Sequence, residues 1–174
     1  RPRRCPLSSY RQRFVGLTEL PKGLSEFDAE HAFGLSKSDV EGIRKFPVKA
    51  RLAAAAQLVL VRATGRSFTH TKTLPAALLQ YLSRTLGVTD ITIASLRALY
   101  ARQRTLFEHR RWAFEAAGFR VSEDADLEEM LKSLQAQAGN AISIDDLVRA
   151  AELWLFDRKI QLPSDRAIRD VARD

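Results

Sequence analysis

Apolar residues recur every three or four positions along most of this chain, which is the spacing of one face of an α-helix. The spacing predicts two short helices between about residues 25 and 45. Longer helices are expected over about residues 48 to 63, 75 to 86, 92 to 117, 123 to 137 and 143 to 159, with a short last one from about 164. Only residues 119–121 and 159–162 have the composition of strands. The pattern predicts an all-α, multi-helix bundle with little or no strand, in one piece or as two helical lobes divided near residue 120.

Short polar residues and glycines mark the ends of these helices. Ser25 with Asp28 and Ser36 with Asp39 have the spacing of capping boxes, in which each side chain accepts a hydrogen bond from the other residue's backbone. Ser143 with Asp146 repeats the pattern later in the chain. Helix ends are predicted where a glycine can take the positive φ of a C-terminal cap, at Gly65 and Gly87.

The two short helices, joined through Gly34, carry apolar residues in a pattern like that of a helix-turn-helix motif: Ala29, Phe33, Leu35, Val40 and Ile43. Glu30, however, lies where that motif needs a small residue for close helix packing. Asp39 and Glu41 would also put acids on the helix that reads DNA. A plain helical hairpin is therefore the favoured prediction, with the helix-turn-helix as the alternative.

The stretch 92–117 is predicted as the longest helix, with a mixed distribution of side chains. Its apolar face would consist of Leu96, Tyr100, Phe107 and Phe114. Arginines recur every seven residues along this helix, at Arg97, Arg104 and Arg111. They would form a basic line with about 10 Å between its members. Arg110 falls within the apolar face and Trp112 outside it. Either this helix packs on two sides or Trp112 contacts a partner protein.

Positive charge is concentrated in residues 1–120. The net charge is +7 overall, but residues 1–120 hold 21 of the 28 Lys and Arg and 9 of the 21 acids, whereas residues 121–174 carry a net charge of −5. Residues 44–111 contain 13 bases and 2 acids. Because a solvated surface usually mixes both signs, this separation predicts a polyanionic partner such as nucleic acid.

These shifts in composition divide the chain into three regions. Residues 1–24 form a basic N-terminal arm with five arginines in the first 13 positions, which either follows DNA phosphates or is simply disordered. Residues 25–120 form a basic helical lobe, and residues 121–174 an acidic helical lobe that is expected to lead into a further region of a longer protein.

Residues that could carry catalysis are few and scattered. Cys5 is the only cysteine, which excludes an internal disulfide and suits a reducing compartment. His31, His70 and His109 lack the spacing of metal ligands and are predicted as surface or capping residues. No phosphate-binding loop is present, and no apolar run reaches the roughly 18 residues of a membrane span. The sequence therefore predicts no catalytic residue, no metal or other cofactor, and no enzymatic activity for this segment.

A solvated helix face is the alternative explanation for part of the positive charge. Arg104 with Glu108 and Arg111 with Glu115 have the spacing of ion pairs along a helix. Other bases have no acid close in sequence, namely Arg44, Lys45, Lys49, Arg51, Arg62, Arg66, Lys72, Arg102 and Arg110. On charge alone, binding of nucleic acid is the favoured interpretation.

Five segments, in order, resemble the N-terminal region of the Tn-three-family transposases, which move replicative bacterial transposons. They are LSEFDAEHAFGLSKSDVEGIRK, ARLAAAAQLVLVRATGRSF, PAALLQYLSRTLGV, RQRTLFEHRRWAFEAAGFR and LWLFDRKIQLPSDRAIRDV, which together extend from about residue 24 to 172. The motif positions are Arg51, Leu52, Gln57, Arg62, Gly65, Arg66, Arg104, Thr105, Glu108 and His109. The chain departs from the family at Ala53, at Phe46-Pro47-Val48 and at Leu106-Phe107, where the family has glycine or basic residues.

The resemblance implies a role in recognising the terminal inverted repeats of a transposon. It also implies that the catalytic domain, with its acidic triad and Mg²⁺, lies in a part of the transposase missing here. The expected partners are double-stranded DNA, the rest of the transposase and a second copy of the chain, in the bacterial cytoplasm and on the nucleoid when bound. The candidate DNA contacts are Arg44, Lys45, Lys49, Arg51, Arg62, Arg66, Lys72, Arg97, Arg102, Arg104, His109, Arg110 and Arg111. The alternative is an interaction or regulatory module of the transposase assembly that does not contact DNA.

Overall fold

The computed structural model describes residues 12–69, 74–139 and 143–173. These ranges contain a 3₁₀ turn, Gln12–Phe14, and the helices α1 Glu26–Ala32, α2 Lys37–Ile43, α3 Val48–Thr64, α4 Ala76–Leu86, α5 Ile93–Tyr100, α6 Gln103–Ala117, α7 Asp124–Ala138, α8 Ile144–Asp157 and α9 Asp165–Arg173. No strand occurs within them, which confirms the all-α prediction. Nor does any helix in this part of the chain combine the length and apolar character needed to cross a membrane. Residues 1–11 of the predicted arm, with Cys5, and the candidates His70 and Lys72 lie outside the described residues.

The helix ends follow the local signals in the sequence. The hydroxyls of Ser25 and Ser36 accept hydrogen bonds from the backbone N–H groups of Asp28 and Asp39, each at 3.1 Å. Each aspartate side chain in turn accepts a hydrogen bond from the backbone N–H of its serine, which completes both capping boxes. Ser143 caps α8 in the same way. The predicted glycine caps are confirmed, with positive φ angles of 75° and 63° at Gly65 and Gly87. Gly118 ends α6 in the same way, with a φ of 76°.

Helix α3 is buried along most of its length because α2, α4, α5 and α6 all pack around it. Residues 53–56 are four consecutive alanines with 0% exposure, and such small side chains allow close approach of the neighbouring helices. Gln57 is the polar exception in this interior. Its amide donates to the carbonyl oxygen of Phe68 at 2.8 Å and accepts from the Phe68 N–H at 3.1 Å. The loop that follows α3 is thereby fixed to the centre of the core.

The buried apolar residues form two clusters. The first extends from Phe14 to Phe119 and is centred on α3, whereas the second extends from Met130 to Ile168 and lies among α7, α8 and α9. Phe156 packs against both, and its ring lies 5.6 Å from that of Phe119. The two clusters meet close to residue 120, while the functional division of the chain at that point stays a prediction.

Backbone hydrogen bonds also join the two clusters. Arg120 and Ile160 form an isolated parallel bridge, in which the Arg120 N–H donates to Lys159 O at 2.9 Å and the Gln161 N–H donates to Arg120 O at 2.8 Å. The two segments that had the composition of strands therefore meet, although only through this single bridge.

Residues 12–16 are held between the clusters by polar contacts. Arg149 of α8 donates to the carbonyl oxygen of Gln12 at 2.7 Å, and the Gly16 N–H donates to Thr64 O at 2.9 Å. A Cβ atom at Gly16 would lie 2.4 Å from the carboxylate of Glu152, and Gly16 has a φ of 80°. Only glycine fits here without displacing that carboxylate.

The prediction of one long helix over residues 92–117 was wrong. The chain leaves the helix after Tyr100, and Arg102 takes an extended conformation (φ −84°, ψ 104°) before α6 begins. The break lets α5 pack against both α3 and α6. Arg97 is consequently on a different helix from Arg104 and Arg111, so the predicted line of three arginines does not exist. Phe107, which was expected in the apolar face, is 65% exposed.

Candidate nucleic-acid interface

Three exposed cations lie together where α2 ends and α3 begins. They are Arg44, Lys45 and Lys49, and none of them forms an ion pair with a described residue. The turn beside them is shaped by Arg51, whose guanidinium donates to the carbonyl oxygens of Phe46 at 3.0 Å and Arg44 at 3.1 Å. Arg51 is thus occupied in holding the turn, whereas the other three side chains are available to a ligand.

A cleft of about 580 Å³ joins this turn to the one between α5 and α6. Lys49 lines it from the start of α3 and Arg102 from the start of α6, with Phe46 and Thr105 also in its wall. Arg102 is exposed and has no ion-pair partner in the described part of the chain. Arg97 is exposed on α5 but does not line the cleft. We refer to Arg44, Lys45, Lys49 and Arg102 as the corner cations.

Acids on α6 engage two further candidates. Glu108, which lines the cleft with Asp90, accepts a hydrogen bond from Arg104 Nε at 2.8 Å. Arg111 Nε donates to Glu115 at 3.2 Å. Exposed pairs of this kind contribute little stability and are weakened by salt, so both arginines can exchange a carboxylate for a phosphate.

Other candidates are bound to groups elsewhere in the fold. Arg62 forms two hydrogen bonds of 2.8 Å with the carboxylate of Asp39, which ties the end of α3 to the start of α2. Because Arg62 donates to it, the pKa of Asp39 falls from 3.8 to about 2. Arg110 is half-buried and its Nε donates to Ser67 Oγ at 2.6 Å.

Arg66 is the most deeply held of the candidate cations, with a side chain that is 11% exposed. Its Nε donates to Gly16 O at 3.1 Å, its Nη1 donates to Pro163 O, and its Nη2 lies 3.7 Å from Glu152. Burial lowers the pKa of Arg66 and raises that of Glu152, although their mutual attraction opposes both shifts. The structure thus uses Arg66 to connect the two clusters.

His109 is in the core rather than at the surface, so the prediction of a surface or capping histidine was wrong for it. It is 3% exposed, and a hydrogen bond of 2.9 Å links its Nδ1 to the hydroxyl of Tyr100. Burial lowers the pKa of His109, which favours the neutral ring. The ring of Phe46 makes edge contacts with His109 and Trp112, at 5.0 and 4.9 Å between centroids. Trp112 is therefore half-buried against α2 and the turn that follows it, and α6 packs on two sides.

Sequence reasoning missed the role of Phe46, which it counted only as a loss of positive charge. Its position directly before Pro47, at the start of a buried helix, was the signal available. Because Phe46 contacts α6 and also lines the cleft, it sets the spacing between the two turns that carry the corner cations.

His31 agrees with the surface or capping prediction, since it is exposed and its ring nitrogen is bonded to Phe27 O at 2.9 Å near the end of α1. Across residues 12–69, 74–139 and 143–173, no group of three His, Cys, Asp or Glu side chains is arranged to hold a metal ion. Whether this segment works without a cofactor stays a prediction.

Comparison with known proteins gives one family match and two relatives. The family described as a domain of unknown function, DUF4158, matches residues 11–174. The chain is 28% identical over 166 residues to the transposase for insertion sequence element IS1071 in transposon Tn5271 of Comamonas testosteroni, covering 95% of this chain and 17% of the relative. It is 32% identical over 136 residues to the transposase for transposon Tn1546 of Enterococcus faecium, covering 76% and 13%. The chain therefore spans less than a fifth of either relative, and the resemblance to transposases is confirmed.

Proposed function

Because this chain belongs to the DUF4158 family and resembles transposases over most of its length, we propose that it binds double-stranded DNA at the terminal inverted repeats of a transposon. The observation that carries this proposal is the group of corner cations, of which Lys49 and Arg102 line one cleft while Arg44 and Lys45 lie on the turn beside it. Four exposed positive charges on two neighbouring turns, without ion-pair partners among the described residues, form a surface that attracts phosphates.

Contact with DNA would then begin at the corner cations and extend to the exposed ion pairs. Arg104 and Arg111 give up their carboxylates for phosphates at little energetic cost. The candidates that hold the fold, Arg51, Arg62 and Arg66, act through the shape of the surface. The whole transposase would act in the cytoplasm, bound to the nucleoid. Catalysis with Mg²⁺ would belong to a separate domain of it.

Salt dependence of binding tests the electrostatic part of the proposal. We expect the logarithm of the affinity for a terminal-repeat duplex to fall linearly with the logarithm of the salt concentration, with a slope of about 0.9 per neutralised phosphate. Lys45→Ala with Lys49→Ala should reduce that slope by about 2. The matched control, Lys132→Ala with Arg166→Ala, removes the same charge from exposed positions in the acidic segment 121–174 and should leave the slope unchanged. Absence of binding at low salt, or equal effects of the two double variants, rejects the proposal.

Competition with a scrambled duplex of the same length tests recognition of the repeats. A site-specific protein typically prefers its site by about 10³-fold or more. Equal affinity for both duplexes would be consistent with DNA binding without sequence preference and would reject specific recognition of the transposon ends. A stable dimer in sedimentation that ignores both duplexes would instead favour the interaction module without DNA contact.

A further inference from the structure

Phe107 is an exposed aromatic side chain on the same helix as the paired arginines. It is 65% exposed and its ring contacts no other ring in the described part of the chain. Phe27 is 62% exposed as well, but its ring stacks on His31 at 3.8 Å. Phe107 therefore differs from the other exposed phenylalanine in offering an uncovered aromatic face.

Phe107 lies at the edge of a groove of about 490 Å³ that is separate from the cleft between the corner cations. Phe114, Phe119 and Val121 also line the groove, and Val121 is 67% exposed. The rings of Phe114 and Phe119 are 6.4 Å apart and tilted by 60°. Phe114 and Phe119 are only 8% and 6% exposed, so they form the floor of the groove, and Phe107 offers the exposed face on which a flat ligand can stack.

Arginines surround this aromatic lining. Arg110, Arg111 and Arg120 line the groove with one acid, Glu115. Glu115 pairs with Arg111 at the surface, and Arg120 pairs with Asp126. The arginines still outnumber these carboxylates by three to two, so the groove suits a ligand that is both aromatic and anionic.

We propose that this groove binds an unpaired nucleotide next to the bound duplex, with its base stacked on Phe107 and its phosphate beside Arg111. The proposal rests on DNA binding by this chain. An aromatic face combined with arginines is the arrangement by which proteins hold unpaired nucleotides, because every base can stack. A base inside a duplex would first have to be unstacked and unpaired, which costs free energy, so an unpaired base enters the groove more readily.

The test compares a blunt terminal-repeat duplex with the same duplex carrying a short single-stranded end. We expect the chain to bind the second duplex about 5- to 50-fold more tightly. Phe107→Ala should remove that advantage and leave the affinity for the blunt duplex unchanged, whereas Phe107→Tyr, which keeps the ring, should preserve it. Phe27→Ala is the matched control and should change neither affinity.

Each alternative outcome has a distinct meaning. Binding of the blunt duplex with no gain from the single-stranded end overturns this inference alone. Failure to bind either duplex overturns the proposed function together with it. A self-association that Phe107→Ala abolishes, measured by sedimentation without DNA, assigns the groove to a second copy of the chain and also overturns the inference.

Discussion

Replacing Gln57 with leucine tests whether one buried amide holds the loop after α3. Gln57 is 0% exposed and satisfies both the N–H and the carbonyl oxygen of Phe68, a residue that is itself 5% exposed. Gln57→Leu would leave two buried backbone groups without partners, at about 1–3 kcal/mol each. Burial of the leucine side chain offsets about 1.5–3 kcal/mol of that cost. We expect a net loss of about 2 kcal/mol, which corresponds to a Tm lower by about 4–8 °C in a domain of this size.

Urea and thermal unfolding of Gln57→Leu measure this loss directly. The matched control is Gln80→Leu, because Gln80 is exposed on α4 and its replacement should change the free energy of unfolding by less than about 0.5 kcal/mol. Hydrogen exchange adds a local measurement, since the Phe68 amide should lose its protection in Gln57→Leu. If Gln57→Leu unfolds like Gln80→Leu and keeps that protection, the amide does not hold the loop.

Three further predictions concern charge and backbone. Asp39, with a pKa of about 2 against an ordinary 3.8, contributes stability that is present above about pH 4 and lost as pH falls toward 2. Asp39→Asn should therefore cost about 1 kcal/mol near neutral pH and little near pH 2, and equal losses in urea at both pH values would contradict this. Gly16→Ala should destabilise by about 1–3 kcal/mol, because its φ of 80° strains alanine and the new Cβ displaces the Glu152 carboxylate, and it should cost more than Gly87→Ala, which has a φ of 63° but nothing within 4 Å; similar Tm values for the two variants refute the conflict with Glu152. Glu108→Gln should tighten duplex binding several-fold by releasing Arg104, and unchanged affinity in the salt titration would refute that role.

Local chemistry explains why most helix boundaries could be predicted from the sequence. Ser25 and Ser36 cap their helices through residues only three positions away, and Gly65 ends α3 by a backbone preference of its own. The break between α5 and α6 had no such signal, because Ala101 and Arg102 are both good helix formers. Packing of α5 against α3 and α6 favours the break, and such contacts between distant segments cannot be predicted from the local sequence.

The bonding partners of the individual cations could likewise not be predicted from the sequence. Arg62 and Asp39 are 23 residues apart, and Arg66 and Pro163 are 97 apart, so charge counting could not reveal that these arginines are occupied. The total charge predicted a polyanionic partner, while only the folded arrangement distinguishes the corner cations from arginines that hold the structure together. His109 was misjudged for the same reason, since its hydrogen-bonding partner Tyr100 lies on a separate helix.

The alanines at 53–56 restrict how this protein can diverge. Each is completely enclosed, so a larger side chain would have to push neighbouring helices apart, and overpacking of this kind costs about 1–3 kcal/mol. Evolutionary drift should accordingly be slow along this stretch of α3 and rapid on the outer helices. A saturation library should tolerate only glycine, serine or alanine there, while substitutions at the exposed positions of the outer helices are accepted freely.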